Sequence, residues 1–224
     1  MEVFQDPDNF NAYIQAFLWI LKLTVVSAIF SLIIGVILAG MRVSPIPVLR
    51  LAGTTWVNTF RNTPLTLIIF FCYFGLYATL GFKFSGNITV NNFWLGVVGL
   101  SVYTAAFVCE AIRAGINTVP PGQAEAARAI GMGFFQTLSI IILPQAFRAV
   151  ISPMGSILIA LAKNTTIVGT IGVIEASSEM KALINDNGNA VIWIFIVFAG
   201  TFCVVLIPTG YLFGWLSQRL EVKR

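Results

Sequence analysis

Lys163 is the residue whose setting most demands a chemical explanation. It follows 14 uncharged residues and is followed directly by Asn164, Thr165 and Thr166. An ammonium group inside a long apolar run is costly, and one that cannot reach an interface marks a functional pathway or a partner charge. A helix interruption at Asn164–Thr166 would free backbone groups and gather hydroxyls beside it, as discontinuous transporter helices do. Two roles are open to Lys163: lining a substrate pathway or gate, or a structural ion pair, for example with Glu175 or Glu179. Glu110 and Arg113 lie three residues apart, so on a helix they share a face, and Arg61 is expected at a similar depth. That trio reads either as a snorkelling interfacial salt bridge or as a gate that also contacts substrate charge. Tyr103, with Thr104, offers polar tips for an α-amino or α-carboxyl group. Lys22 reads as a snorkelling or interhelical residue.

What is missing narrows the chemistry further. The chain has no histidine, so a Ser-His-Asp triad, an imidazole zinc site and a histidine-held haem are excluded. Cys72, Cys109 and Cys203 are odd in number and sit inside apolar runs, where a free thiol behaves as a small hydrophobe; no disulfide or metal site is expected. Of the 224 residues, 58% are hydrophobic and only 10% charged, with a mean hydropathy of +0.89. Soluble chains carry about 25% charged residues, so this is a membrane protein. The net charge of +4 forms no contiguous basic stripe, which argues against nucleic acid as a partner.

The elements that must position these residues are spanning helices of about 20 apolar residues. Residues 23–41, 62–82, 84–109 and 187–218 carry no charge, and a fifth stretch, 149–174, is interrupted by Lys163 and holds Pro153, Gly155, Gly169 and Gly172. Together they predict an all-α protein of five transmembrane helices, at about 13–41, 62–82, 84–112, 149–174 (broken) and 190–216. Five spans put the termini on opposite sides. The tail MEVFQDPDNF has three acids and no base. With it outside, the inner segments collect Arg42, Arg50, Arg61, Arg113, Arg128, Arg148, Arg219, Lys223 and Arg224, against Lys83 and Lys181 outside. That bias places the N-terminus outside and the C-terminus in the cytoplasm. The acidic start also argues against a cleaved signal peptide. Gly35, Gly40, Gly96, Gly99, Gly155 and Gly172 read as close helix contacts in lipid. No repeat or soluble domain is evident, so residues 1–224 form a single domain.

One connection is long, the cytoplasmic loop at about 114–148. Pro120 and Pro121 suit a helix start, Glu125 is favourable in a first turn, the alanines at 124, 126, 127 and 129 extend the helix, and Gly131 with Gly133 ends it. The result is a small, smooth helix that another protein can approach closely.

The spacing Glu125, Ala126, Ala127, Gly131, Ile141, Leu143, Pro144 resembles the EAA loop that marks permease subunits of ABC importers. The likeness extends to FRNTPL at 60–65, Thr104–Ile116 with Glu110 and Arg113, VPPGQ at 119–123 and KNTT at 163–166. These look like the permeases for polar amino acids, closest to those for glutamate uptake, and the likeness runs from about residue 13 to 220. It implies the type I importer permease fold in a bacterial cytoplasmic membrane. It also implies docking of an ATPase, with Ala126 and Gly131 as contacts, Glu125 as a polar anchor or cap, and Ala127 in the same patch. Further implied partners are a second permease, identical or related, and an extracytoplasmic substrate-binding protein that delivers the amino acid. The chain itself should bind no cofactor: it lacks a G-x-x-x-x-G-K-[ST] phosphate loop, so ATP and Mg would be used by the partner ATPase. Where the family pattern carries Asp, this chain has Asn164, which favours an anion beside Lys163 and hints at glutamate or aspartate. Glutamine, arginine and histidine are the alternatives. An ion-coupled carrier usually pairs two repeats in one chain, a channel needs a filter or charged ring, and a membrane enzyme needs more acid–base groups than this chain offers.

Overall fold

The computed structural model describes residues 2–220, and among them there are helices and connecting turns but no strand. Lys223 and Arg224 lie outside the described residues. Helix α1 runs Pro7–Val43, beginning earlier than the charge-free stretch alone suggests. Proline at its first position and an Asp6 carboxylate that accepts from the Asp8 N–H at 3.0 Å start it in the polar tail.

The second expected span is not a straight helix. Helix α2 (Pro47–Asn62) and α3 (Leu65–Phe70, continued as a π-helix over Phe71–Thr79) meet at 103°. Pro64 supplies no N–H and forces Thr63 into extended backbone (φ −93°, ψ 132°), so the helix cannot continue through them. Helix α2 packs against α1 and α4. Its Gly53 seats against Met41 and Arg42 of α1, and its Val57 packs among Leu38, Ala39, Ala105, Ala106 and Cys109.

Helix α4 (Ile88–Asn117) is the hub, packing against α1, α2, α3 and α7. Its glycines do what small residues do in lipid, letting neighbours close in: Gly96 faces Val168, Gly99 faces Ile69, and Gly115 faces Val150 with the Ala146 carbonyl. Gly35 of α1 receives Val108 of α4 in the same way. Gly40, expected to be a helix contact, faces open space.

Beyond α4 come α5 (Pro121–Ala129), the short α6 (Phe134–Gln136) with a π-helical extension over Thr137–Ile142, and α7 (Leu143–Asn164). The latter half of the expected loop is thus helical. Pro153 does not break α7. The interruption comes at Thr165, where the chain tightens into a 3-10 helix ending at Ile171 and turns at Gly172 (φ +84°). Gly172 serves that left-handed turn rather than a helix contact. Asn92 of α4 closes the turn, donating its side-chain amide to the Ile171 carbonyl at 2.8 Å.

A helix not foreseen from the sequence follows, α8 (Ala176–Asp186), and then α9 (Val191–Leu220). Glu175 starts α8 by accepting from the Ser177 and Ser178 N–H groups at 2.7 and 2.9 Å. Among the described residues, four helices are long and apolar enough to cross a membrane, or five if the bent α2–α3 pair is one span.

Candidate functional site

Three groups of expected functional residues occupy three places. The first is α5. Proline at its first position presets the backbone, and its other end closes with a complete Schellman motif. The Met132 N–H donates to the Ala127 carbonyl at 3.0 Å and the Gly131 N–H to Arg128 at 2.9 Å. Gly131 sits at φ +90°, a conformation that strains any residue with a side chain. Glu125 and Ala126 are exposed, whereas Ala127 is buried at 5% exposure. Ala127 therefore packs inside its own chain, and the outward patch is Glu125, Ala126 and Gly131. Glu125 lies at the fifth helical position, beyond the first turn where it was expected to meet the helix dipole. Ile130 and Phe135 flank Gly131 at 80% and 81% exposure; they were not singled out in the sequence, where they read as ordinary apolar residues beside a long hydrophobic run.

The second group is at the end of α7. Lys163 is exposed and lines an open groove of about 730 Å³ between α7 and α9, with Ile159, Phe202, Leu206, Tyr211 and Gln218. The two ion pairs found among the described residues both lie at Glu110, so the pairing of Lys163 with Glu175 or Glu179 does not occur. Glu175 is instead fully buried at its helix cap. The expected hydroxyl cluster is also spent locally. Thr165 donates to the Ala162 carbonyl at 2.7 Å and Thr166 to the Lys163 carbonyl at 2.8 Å. These bonds satisfy carbonyls that the end of an α-helix leaves open. Asn164 is half-buried. Tyr103 does not line the groove; it packs on Phe107 and against the central core that includes Leu161 and Val168.

The third group centres on Glu110, and its partners differ from those expected. Arg113 forms no ion pair with it. Arg42, from the last turn of α1, bonds the carboxylate, and Arg61, from the last turn of α2, lies 3.7 Å from the same oxygen. A tie across three helices replaces the pair within one. The i, i+3 rule sees only neighbours on a helix, whereas Arg42 reaches Glu110 because Gly53 leaves room for its side chain.

Residues 31–222 match the family described as the inner membrane component of binding-protein-dependent transport systems. The chain belongs to that family. This permease is 50% identical, over 94% of its length and 95% of the relative's, to the glutamate transport system permease protein GluC of Corynebacterium glutamicum. It is 37% identical to the probable glutamine ABC transporter permease protein GlnM of Bacillus subtilis, over 96% and 95% of the two chains. Among solved structures, it resembles a chain of an amino acid ABC transporter crystallised with histidines (TM-score 0.86, 26% identity, 98% and 99% of the two chains). It shares its fold with the MetNI methionine transporter in inward-facing form (TM-score 0.75, 18% identity, 97% and 100% covered). As in the expectation drawn from the loop signature, the permease has an all-helical fold with four or five helices fit to span a membrane.

Proposed function

We propose that this chain is the membrane-spanning subunit of an ATP-driven amino-acid importer in a bacterial cytoplasmic membrane, with glutamate or aspartate as its substrate. The observation that carries the reading is the 50% identity to a glutamate permease over nearly the whole of both chains. The substrate pathway runs past Lys163 and Asn164, where, among the described residues, Lys163 forms no ion pair. Glutamine is the alternative that the likeness to GlnM favours.

The chain contributes no ATP chemistry. A separate ATP-binding subunit uses ATP and Mg and closes on Glu125, Ala126 and Gly131. Because α5 starts on a preset proline and closes in a Schellman motif, that closure moves it as a rigid body and pulls on α4 and α7, to which the loop is joined. The N-terminus faces outward, where a substrate-binding protein delivers the amino acid, and a second permease, identical or related, completes the pathway.

Replacing Gly131 with Trp should abolish uptake of radiolabelled glutamate in cells while the chain remains in the membrane. Normal uptake by that variant would overturn the docking role. For the anion preference, Asn164→Asp should weaken glutamate uptake more than glutamine uptake, since it sets a second carboxylate against the substrate's own. Equal effects on the two substrates would remove Asn164 from the argument.

A further inference from the structure

Charge does not balance around Glu110. Arg42 bonds its single carboxylate, Arg61 lies 3.7 Å from it, and Arg113 stands one turn along the same helix, leaving two positive charges over. The Arg42 side chain is 6% exposed; it bonds Glu110 through a terminal nitrogen, and its Nε, fully buried, meets no acceptor. Arg61 is held differently. Its side chain is 45% exposed and approaches Glu110 at 3.7 Å, beyond hydrogen-bond range, so its donors are free for another group. Arg113 is half-buried and pairs with no acid among the described residues. Unbalanced charge among packed helices is expensive unless something answers it.

The surroundings identify what would. The cluster lies near the end of the bundle where α4 leads into the α5 loop. Helix α2, which carries Arg61, turns by 103° from α3 and exposes Val48 (73%) and Leu51 (69%) beside Arg50. Outward apolar residues beside arginines on one helix match the boundary between headgroups and acyl chains. Lys163, the cation we assign to substrate, lies in the α7–α9 groove and not in this cluster.

We propose that Arg61 and Arg113 bind the phosphate of an anionic phospholipid whose acyl chains lie along α2, while Arg42 stays on Glu110. A phosphate can accept paired N–H bonds from a guanidinium fork, and basic pockets between spanning helices hold anionic headgroups. A zwitterionic lipid carries its own cation and gains less from the surplus charge. The proposal rests on the permease reading only in requiring a bilayer.

The test uses the full chain purified with its ATP-binding subunit and placed in nanodiscs of phosphatidylcholine doped with phosphatidylglycerol. Native mass spectrometry counts the lipids that stay bound, and the presence of the ATP-binding subunit reports separately on the importer reading. Wild-type protein should retain phosphatidylglycerol in preference to phosphatidylcholine. Arg61→Gln and Arg113→Gln should each reduce that retention about fivefold, Arg61→Lys should reduce it less, and Arg148→Gln on α7 should leave it unchanged. Retention unaffected by both Gln variants, or reduced equally by Arg148→Gln, would overturn the proposal. So would displacement of the lipid by free glutamate, which would reassign the cluster to substrate.

Discussion

Helices α4 and α9 are both 30 residues long, yet they hold opposite places in the molecule. Of the most apolar part of α4, 61% is buried within the chain; of α9, 11%. The more hydrophobic of the two is the outer one. Helix α9 presents Val204, Ile192 and Tyr211 to the outside at 73%, 72% and 78% exposure, whereas α4 buries Asn91, Asn92, Ser101 and Thr104. In water, apolar surface marks the interior; in lipid it no longer distinguishes inside from outside. What marks the interior is small residues that admit a neighbour and polar ones that need a partner.

The strongest way to break this contrast is to enlarge a small residue of α4. Gly115→Leu would drive a side chain into Val150 and the Ala146 carbonyl. Because that obstacle includes backbone, it cannot swing aside, and the cost should reach about 3 kcal/mol. The expected outcome is loss of the monodisperse peak in size-exclusion chromatography; a well-behaved variant would mean that the α4–α7 contact is looser than it is drawn.

A smaller effect separates buried from exposed charge. Burial pushes the Glu175 carboxyl up to about 7 from an ordinary 4.5, against the helix N–H bonds and Lys181 that favour its charged form. Between those values the folded chain holds a proton that the unfolded chain has released, so stability falls as pH rises from 4.5 to about 7. Thermal unfolding in detergent should show Tm dropping by several degrees over that window. Glu175→Gln should flatten the slope, and an unchanged slope would remove Glu175 as its cause.

The smallest effect is expected on α9. Gly200 meets nothing within 4 Å, so Gly200→Ala should leave packing untouched and raise stability by about 0.5 kcal/mol through helix propensity. A loss of stability would show that this face is covered by something close.

The same contrast explains which features could be read from the amino-acid order. Long charge-free stretches and the α5 loop were legible because helix length, proline starts and glycine stops are local properties. The turn at Pro64 was missed: a proline inside an apolar run does not announce whether the helix continues through it, as at Pro153, or turns by about a right angle, as at Pro64. Helix α8 was missed because its polar, short segment has no hydrophobic signature, and its start depends on a glutamate reaching its own backbone. At the functional residues, types were legible and partners were not. Glu110 was found, but Arg42 stood 68 positions away and looked like an ordinary inner-face basic residue. Thr165 and Thr166 looked like ligands to a solute, yet a hydroxyl at the end of an α-helix finds the nearest open carbonyl first.

The distribution of sulfur also gives this protein a built-in observation point. Cys72 and Cys109 are buried, while Cys203 is exposed on α9. A membrane-permeant thiol reagent carrying a spin or fluorescent label should therefore attach at a single position without any engineered residue. That position lies on the least buried of the four long apolar helices, beside the groove that holds Lys163. Its spectrum would follow the crowding and polarity of the groove during turnover, turning a residue with no chemistry of its own into a local clock for the transport cycle.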